Sequence, residues 1–350
     1  MIDPKPTVRD AFRYPILQEG RYQKLRLDKN ENTIGFPPDV IRDMLSGISA
    51  DFIAAYPEPY GLYRRIAYQS GLDMDCIALT AGSEMAIRYL LEAFLTENDE
   101  IIVLNPSFAM FEVYAKIIGA KIRLLNYSEQ FEVPVECIVA QMTPATKIIA
   151  IANPNNPTGT VFSERDLEAI LSNARNNGTI VLVDEAYYYF YKQTMLPRCS
   201  EFPNLVVTRT FSKACGIAGV RLGYAAGAAA IITQLKKLQP IDHISNFAVK
   251  LGEYILDHEE LVLDYAAEVE KGKHFLISEM SKLGLACRSS QANFILIDFG
   301  QRQEEVARKL RERNVLVGAN LRLPFPSGYI RVTVGPVSQM QQFVEVLREI

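Results

Sequence analysis

The sequence predicts an α/β protein with a large domain built on a mostly parallel sheet covered by helices, joined to a smaller α+β domain. Three observations carry this. From about residue 80, short continuous apolar runs alternate with amphipathic helical segments, the pattern of strands buried on both faces and linked by crossover helices. After about residue 240 the rhythm changes to long helical text followed by short, loop-separated strands. The chain has 350 residues, with 49% hydrophobic and 22% charged residues. That length is enough for a sizeable core and two domains.

Taken in order, EMAIRYLLEAFLTEND after Gly82-Ser83 carries apolar residues at helical spacing. IIVL (101–104) reads as a buried strand, FAMFEVYAKIIGA (108–120) as a helix, and KIRLL (121–125) and KIIAIA (147–152) as strands. A helix opens at Ser163-Glu-Arg-Asp. TIVLVD (179–184) and NLVVTRTF (204–211) are again strands. Helical text at 247–283 leads to strands at ANFILIDF (292–299), VLVG (315–318) and YIRVTV (329–334). The division predicted is 31–238 for the large domain, with 1–30 and 239–350 forming the small one.

Composition excludes several classes. Lys plus Arg total 37 against 41 for Asp plus Glu, so there is no basic footprint for nucleic acid or an anionic membrane. The five cysteines are scattered without CxxC pairs and there are three histidines, which predicts neither a disulfide framework nor a metal site. No apolar run reaches the roughly 18 residues of a membrane span, and MIDPKPTVRDAFRYP lacks a signal-peptide core, so a cytoplasmic location is expected.

In an open parallel sheet, ligands bind beyond the carboxyl ends of the strands. The chemically unusual residues fall there: Asn153-Pro-Asn-Asn-Pro-Thr-Gly159 after KIIAIA, Asp184-Glu-Ala-Tyr187 ending TIVLVD, and Thr208 to Gly223 after NLVV. Thr80-Ala-Gly-Ser83 precedes a helix whose first amides can cradle an anion. Alone, each has an ordinary explanation: a turn, a helix cap, a solvated lysine. Four coinciding at one sheet edge make a site.

NPNNPTG, VLVDEAYYYF, RTFSKACGIAGVRLGY and YIRVTVG, in this order and spacing, together resemble the fold-type I pyridoxal-phosphate aminotransferases, and within them the histidinol-phosphate aminotransferase branch. The likeness extends from LDKNENTIG (27–35) through YPEPYG (56–61) and SQANFILIDF (290–299). It implies an aspartate-aminotransferase-like fold with a seven-stranded sheet, pyridoxal 5′-phosphate as cofactor, and a homodimer with shared sites. It makes Lys213 the Schiff-base lysine, a role that suits an amine stripped of solvent beside other cations. It makes Asp184 the partner of the pyridine nitrogen, and Tyr187 and Asn156 the partners of the cofactor phenolate oxygen. Arg221, Thr210, Ser212 and the Gly82-Ser83 backbone would hold the phosphate. Phe108 would stack on the ring, and Tyr56 would reach the phosphate of the neighbouring subunit. Arg331 would grip the substrate carboxylate, with Tyr14 and Asn30 as further substrate residues.

The implied reaction is transfer of an amino group between an L-amino acid, with L-glutamate the default donor, and a small polar or phosphorylated oxo compound. Decarboxylation of a phosphorylated amino acid is the alternative, and a non-catalytic regulator is opposed by the absence of a basic patch. Some positions depart from the branch. The arginine expected to hold a substrate phosphate falls at Gly318, with Arg322 four residues on. The aromatic-Asn pair after a proline reads Ile241-Asp242 and is followed by His243, and the acid after DEAY is replaced by Tyr189. All of these bear on the substrate rather than the cofactor.

Overall fold

The computed structural model describes residues 2–12, 20–319 and 321–350. A short strand β1 (Leu25–Leu27) precedes the main sheet. That sheet contains β2 (Ile77–Thr80), β3 (Glu100–Asn105), β4 (Lys121–Asn126), β5 (Thr146–Ala152), β6 (Ile180–Asp184), β7 (Leu205–Thr210) and β8 (Gly223–Gly227). Its order is β2-β8-β7-β6-β5-β3-β4, seven strands in all. All neighbours are parallel except around β8, which runs antiparallel to both β2 and β7. The reversal of β8 is absent from the sequence reading, because Gly-Tyr-Ala-Ala-Gly has no β-branched residue to mark a strand. Packing explains the composition: a Cβ on Gly223 would lie 2.4 Å from the Ser83 amide nitrogen and 2.7 Å from the Arg209 carbonyl oxygen.

Both faces of the sheet are covered, as the unbroken apolar runs require. Along β6, Val181 and Val183 pack on one face and Ile180 and Leu182 on the other. The first face meets the helices Tyr60–Ser70, Glu164–Asn176 and Asn246–Asp257 through Leu62, Ile66, Leu167, Ile170 and Ala248. The second meets Ser83–Phe94, Met110–Ile118 and Ala229–Lys237 through Ile87, Leu90, Phe111 and Ile232. The helix that opens at Ser163 is capped by that serine, which accepts from the Asp166 amide at 3.2 Å while the Asp166 carboxylate accepts from the Ser163 amide at 3.0 Å.

The remaining strands are β9 (Cys287–Arg288), β10 (Phe294–Asp298), β11 (Val315–Val317) and β12 (Tyr329–Thr333). They form an antiparallel sheet β12-β10-β9 and a parallel pair β1-β11. The two are linked by a bridge between Gly318 and Arg331. Leu27, Val269, Leu276, Ile295, Ile297 and Phe343 form a separate core there. The helical text at 247–283 is two helices, broken at His258, which takes a non-helical φ of -125° and ψ of 53°. The first of them, Asn246–Asp257, packs on the main-sheet core, whereas Glu259–Lys282 packs on the small one. Among the described residues no helix is long and apolar enough to cross a membrane.

Candidate active site

Strand direction assembles the site. The strands β5, β6 and β7 end at one edge, and β2 points the same way because it and β7 both oppose β8. The start of β8, just after Arg221, therefore lies at that edge as well. A cavity of about 160 Å³ opens there. It is lined by Ser83, Phe108, Asn156, Asp184, Tyr187, Thr210, Ser212, Lys213 and Arg221, which the sequence reading scattered over 139 positions of chain.

The loop after β5 is pinned by its other asparagines. Asn153 exchanges two hydrogen bonds with the main chain of Phe162, and Asn155 donates to the Pro106 carbonyl at 2.9 Å and to the Thr158 hydroxyl at 2.8 Å. That leaves Asn156 to face the cavity. Gly159 closes the loop at a φ of 73°, and its carbonyl accepts from the Gln291 amide at 2.9 Å. A Cβ there would lie 2.1 Å from that of Ser290. Gly159→Ala is therefore expected to destabilise the protein by about 3 kcal/mol, from left-handed backbone strain plus overpacking. A shift of the urea midpoint at constant m-value measures it, and an unchanged midpoint refutes it.

Lys213 points its ammonium into the cavity and donates to the Lys29 carbonyl at 2.8 Å, 5.8 Å from the Tyr187 ring centre. Burial, reinforced by the charges of Arg331 and Arg221, lowers its pKa to about 8 against the pull of Glu31 and Asp184. Asp184 accepts from the Thr208 hydroxyl at 2.8 Å. Burial raises its pKa to about 6 despite Thr208 and Lys213. The Tyr187 phenol accepts from the Asn30 side-chain amide at 2.8 Å, and its ring meets Phe294 edge-on at 5.6 Å.

At the other end of the cavity lies a cradle for an anion. Gly82, at a φ of 82°, sits so close to Arg221 that a Cβ would stand 2.7 Å from the guanidinium. The Thr80 hydroxyl bonds the Gly82 carbonyl at 2.8 Å and fixes the turn into the helix Ser83–Phe94. Arg221 itself takes a φ of 58° and donates to the Ser212 hydroxyl at 3.2 Å, and the Ser212 amide donates to the Thr210 hydroxyl at 3.1 Å. A guanidinium, two hydroxyls and a helix N-terminus converge, which suits a phosphate. With a nucleophilic amine and a buried carboxylate beside that cradle, the donor set fits pyridoxal phosphate.

A second cavity of about 530 Å³ adjoins the first through Phe108 and Asn156. Arg331 stands on its wall, donating to the Asn156 side-chain oxygen and the Asp28 carbonyl, with its Nε buried and unpartnered. Burial holds its pKa below the usual arginine value. The same wall carries Lys29, Lys116 and Arg322.

Three sequence-derived residues lie elsewhere. Asn30 is buried behind Tyr187, its amide bonding that phenol and its oxygen accepting from Thr333 at 2.9 Å, and it is not among the cavity-lining residues. Tyr56 is 79% exposed and outside both cavities. Tyr14 lies outside the described residues. Sequence reasoning missed Thr208 as the partner of Asp184, and the Asp28 and Lys29 carbonyls as partners of Arg331 and Lys213. The parallel register Asp184↔Thr208 was the available clue, but only once β6 and β7 are known to be neighbours.

Residues 23–347 match the sequence pattern of the family described as aminotransferase class I and II. The chain belongs to that family. This aminotransferase is 31% identical over 340 residues to a histidinol-phosphate aminotransferase of Clostridium novyi, covering 95% of this chain and 92% of the relative. It shares its fold with a histidinol-phosphate aminotransferase of Clostridium acetobutylicum, at a TM-score of 0.84 and 21% identity, over 93% of this chain and 98% of the other. An L-threonine-O-3-phosphate decarboxylase from Porphyromonas gingivalis also has this fold, with a TM-score of 0.79 and 20% identity over 93% and 98% of the two chains. The aminotransferase is a pyridoxal-phosphate-dependent enzyme of aspartate-aminotransferase-like fold.

Proposed function

We propose that the enzyme moves an amino group between an L-amino acid, with L-glutamate as donor, and a small phosphorylated or otherwise anionic oxo compound, as a histidinol-phosphate-aminotransferase-like enzyme of amino-acid biosynthesis. The supporting observation is the cationic wall of the second cavity, where Lys29, Lys116 and Arg322 face the same space as Arg331. Among the described lining residues Glu112 is the one acid, 3.7 Å from Lys116. Such a wall suits a substrate anionic at both ends. A Cβ on Gly318 would already stand 3.1 Å from the Arg331 guanidinium, so a large side chain there would press on the carboxylate site. In this reading the distal charge is met by Arg322 and Lys116.

When bound, pyridoxal phosphate supplies an aldehyde for the substrate amine and a protonated ring that takes up the electron pair left at the substrate Cα. Lys213, neutral at its amine, would take the proton from the substrate Cα and hold it at Nζ. Asp184, held ionised by Thr208, keeps a proton on the ring nitrogen. Tyr187, oriented by Asn30, and Asn156 would hold the ring oxygen, and Phe108 would lie against the ring. Arg221, Ser212, Thr210 and the Gly82-Ser83 amides anchor the phosphate. Arg331 orients the substrate carboxylate through its planar fork.

The protein acts, on this proposal, as a cytoplasmic homodimer in which Tyr56 reaches the neighbouring site. Exposed Ile53 and Tyr56, on the segment whose Phe52 meets Phe247 edge-on and whose Phe52 and Ala55 carbonyls accept from the Asn246 side chain, support such a surface. The chain divides into a large domain of 31–238 and a small one of 1–30 and 239–350, with the helix Asn246–Asp257 riding on the large core.

The test is a panel of L-amino acids with phosphorylated and dicarboxylic oxo acceptors, following oxo-acid formation and carbon dioxide together. Oxo acid from glutamate without gas supports the reading. Gas without oxo acid replaces it with decarboxylation.

The Lys213 amine is also expected to set a pH dependence. Its pKa is lowered to about 8, so the neutral nucleophile grows as pH rises through 8 and is complete well above it. The second-order rate of cofactor uptake by cofactor-free protein should climb about tenfold per pH unit below 8 and level off above. A flat profile from pH 6 to 9 contradicts it.

A further inference from the structure

Glu185 and Arg209 form a buried ion pair that none of the roles above uses. Their side chains are 2% and 15% exposed. One Glu185 oxygen accepts from Arg209 Nε at 3.1 Å and Nη2 at 3.0 Å, and from the Thr194 hydroxyl at 2.6 Å. The other accepts from the Met195 amide at 2.6 Å. Arg209 donates in turn to the Thr194 oxygen at 2.7 Å, and its guanidinium lies 3.6 Å over the Tyr188 ring.

The position of this pair follows from strand register. Asp184, which lines the cofactor cavity, ends β6 beside Thr208 on β7 and accepts from its buried hydroxyl. The next residue of each strand turns to the opposite side, so Glu185 and Arg209 meet immediately behind. From there the pair grips both catalytic loops. Glu185 opens the turn carrying Tyr187, with its main-chain carbonyl accepting from the Tyr188 amide at 3.0 Å. Arg209 precedes Thr210, Ser212 and Lys213 by one, three and four positions.

We propose that the Glu185–Arg209 pair, closed by Thr194 and Tyr188, positions Asp184 and Tyr187 against Lys213 and keeps the Glu185 charge from opposing that of Asp184.

Stability alone does not account for such a pair, because well-packed apolar residues usually replace a buried ion pair without loss. Asp184 faces Thr208, Lys213 and Glu185, and of these Glu185 alone disfavours its ionised form. Arg209 faces Glu185, Tyr188 and Tyr224, and their pull on its charge outweighs the cost of burial. An uncompensated Glu185 would raise Asp184 further and weaken its hold on a protonated ring nitrogen. Tyr188 stacks on the guanidinium, and Tyr189 packs beside Tyr188 at 5.1 Å.

The proposal rests on pyridoxal phosphate binding in the cavity, and one experiment separates the two. Wild type, Arg209→Lys and Thr194→Val are loaded with cofactor, and its release on dialysis, the circular-dichroism melting midpoint, and kcat and KM for the amino donor are measured. Arg209→Lys is expected to release cofactor about tenfold faster and to lose about tenfold in kcat, with KM within about twofold and the melt little changed. Thr194→Val, which removes the hydroxyl that bonds both Glu185 and Arg209 and leaves both of those side chains in place, should release about threefold faster. Wild-type release and kcat in both variants overturn the proposal, as does a lowered melt with unchanged release. If Arg209→Lys does not fold, Thr194→Val decides alone. Wild type that takes up no cofactor overturns the cofactor reading, and this proposal with it.

Discussion

Lys213→Ala is expected to abolish turnover, lowering kcat by about four orders of magnitude, the upper range for a positioned proton-transfer group. The same variant should lose covalent capture of the cofactor. Lys213 is the amine among the residues lining the cofactor cavity, and its desolvated, lowered pKa of about 8 leaves a usable fraction neutral near pH 7. Among the described lining residues no other offers a nucleophilic nitrogen, since the Arg221 guanidinium stays protonated. Borohydride reduction of the loaded protein followed by peptide mass analysis should find the cofactor on the peptide containing residue 213 in wild type and nowhere in the variant. Folding should survive, because the substitution removes a desolvated charge and frees only the Lys29 carbonyl. Retained turnover, or cofactor fixed to a different lysine, would overturn the assignment.

The second large effect is expected at Arg331. Its guanidinium spans the Asn156 oxygen and the Asp28 carbonyl on the wall of the second cavity, a planar charged fork suited to a carboxylate. Arg331→Lys keeps a charge but loses the planar fork. Losing one side of a buried charged pair costs roughly 2–5 kcal/mol, so kcat/KM for the amino donor should fall by about 30- to 5,000-fold, mostly through KM. Steady-state kinetics with L-glutamate measures this. A variant with unchanged KM would mean that the substrate carboxylate binds elsewhere, with Arg322 on the same wall the next residue to replace.

Much of this site was legible because its words are local. The Asn-Pro turns, the glycine before the helix Ser83–Phe94 and the lysine four positions past Arg209 all sit beside apolar strands, and strand periodicity acts over a few residues. The ends of β5, β6 and β7 could therefore be located from the chain alone. Harder were the elements whose residues do not declare their state. The strand β8 is built of glycine, alanine and tyrosine, and it is a strand because it fits between β2 and β7, where Gly223 packs against the Ser83 amide. The helix Asn246–Asp257 has the same amphipathic text as its successor, yet the break at His258 sends the two to different cores.

The sequence by itself determined the α/β class, the residues that make the chemistry, and the aminotransferase family, because hydrophobic period, turn residues and motif spacing are properties of short stretches. Only the tertiary structure decided what each of these residues leans on. Asn30 supports Tyr187 and bonds Thr333, 303 positions away, and Glu185 finds Arg209 only because β6 and β7 are neighbours in register. Partnerships of that kind depend on strand order, register and close packing, which arise from the whole chain folding at once.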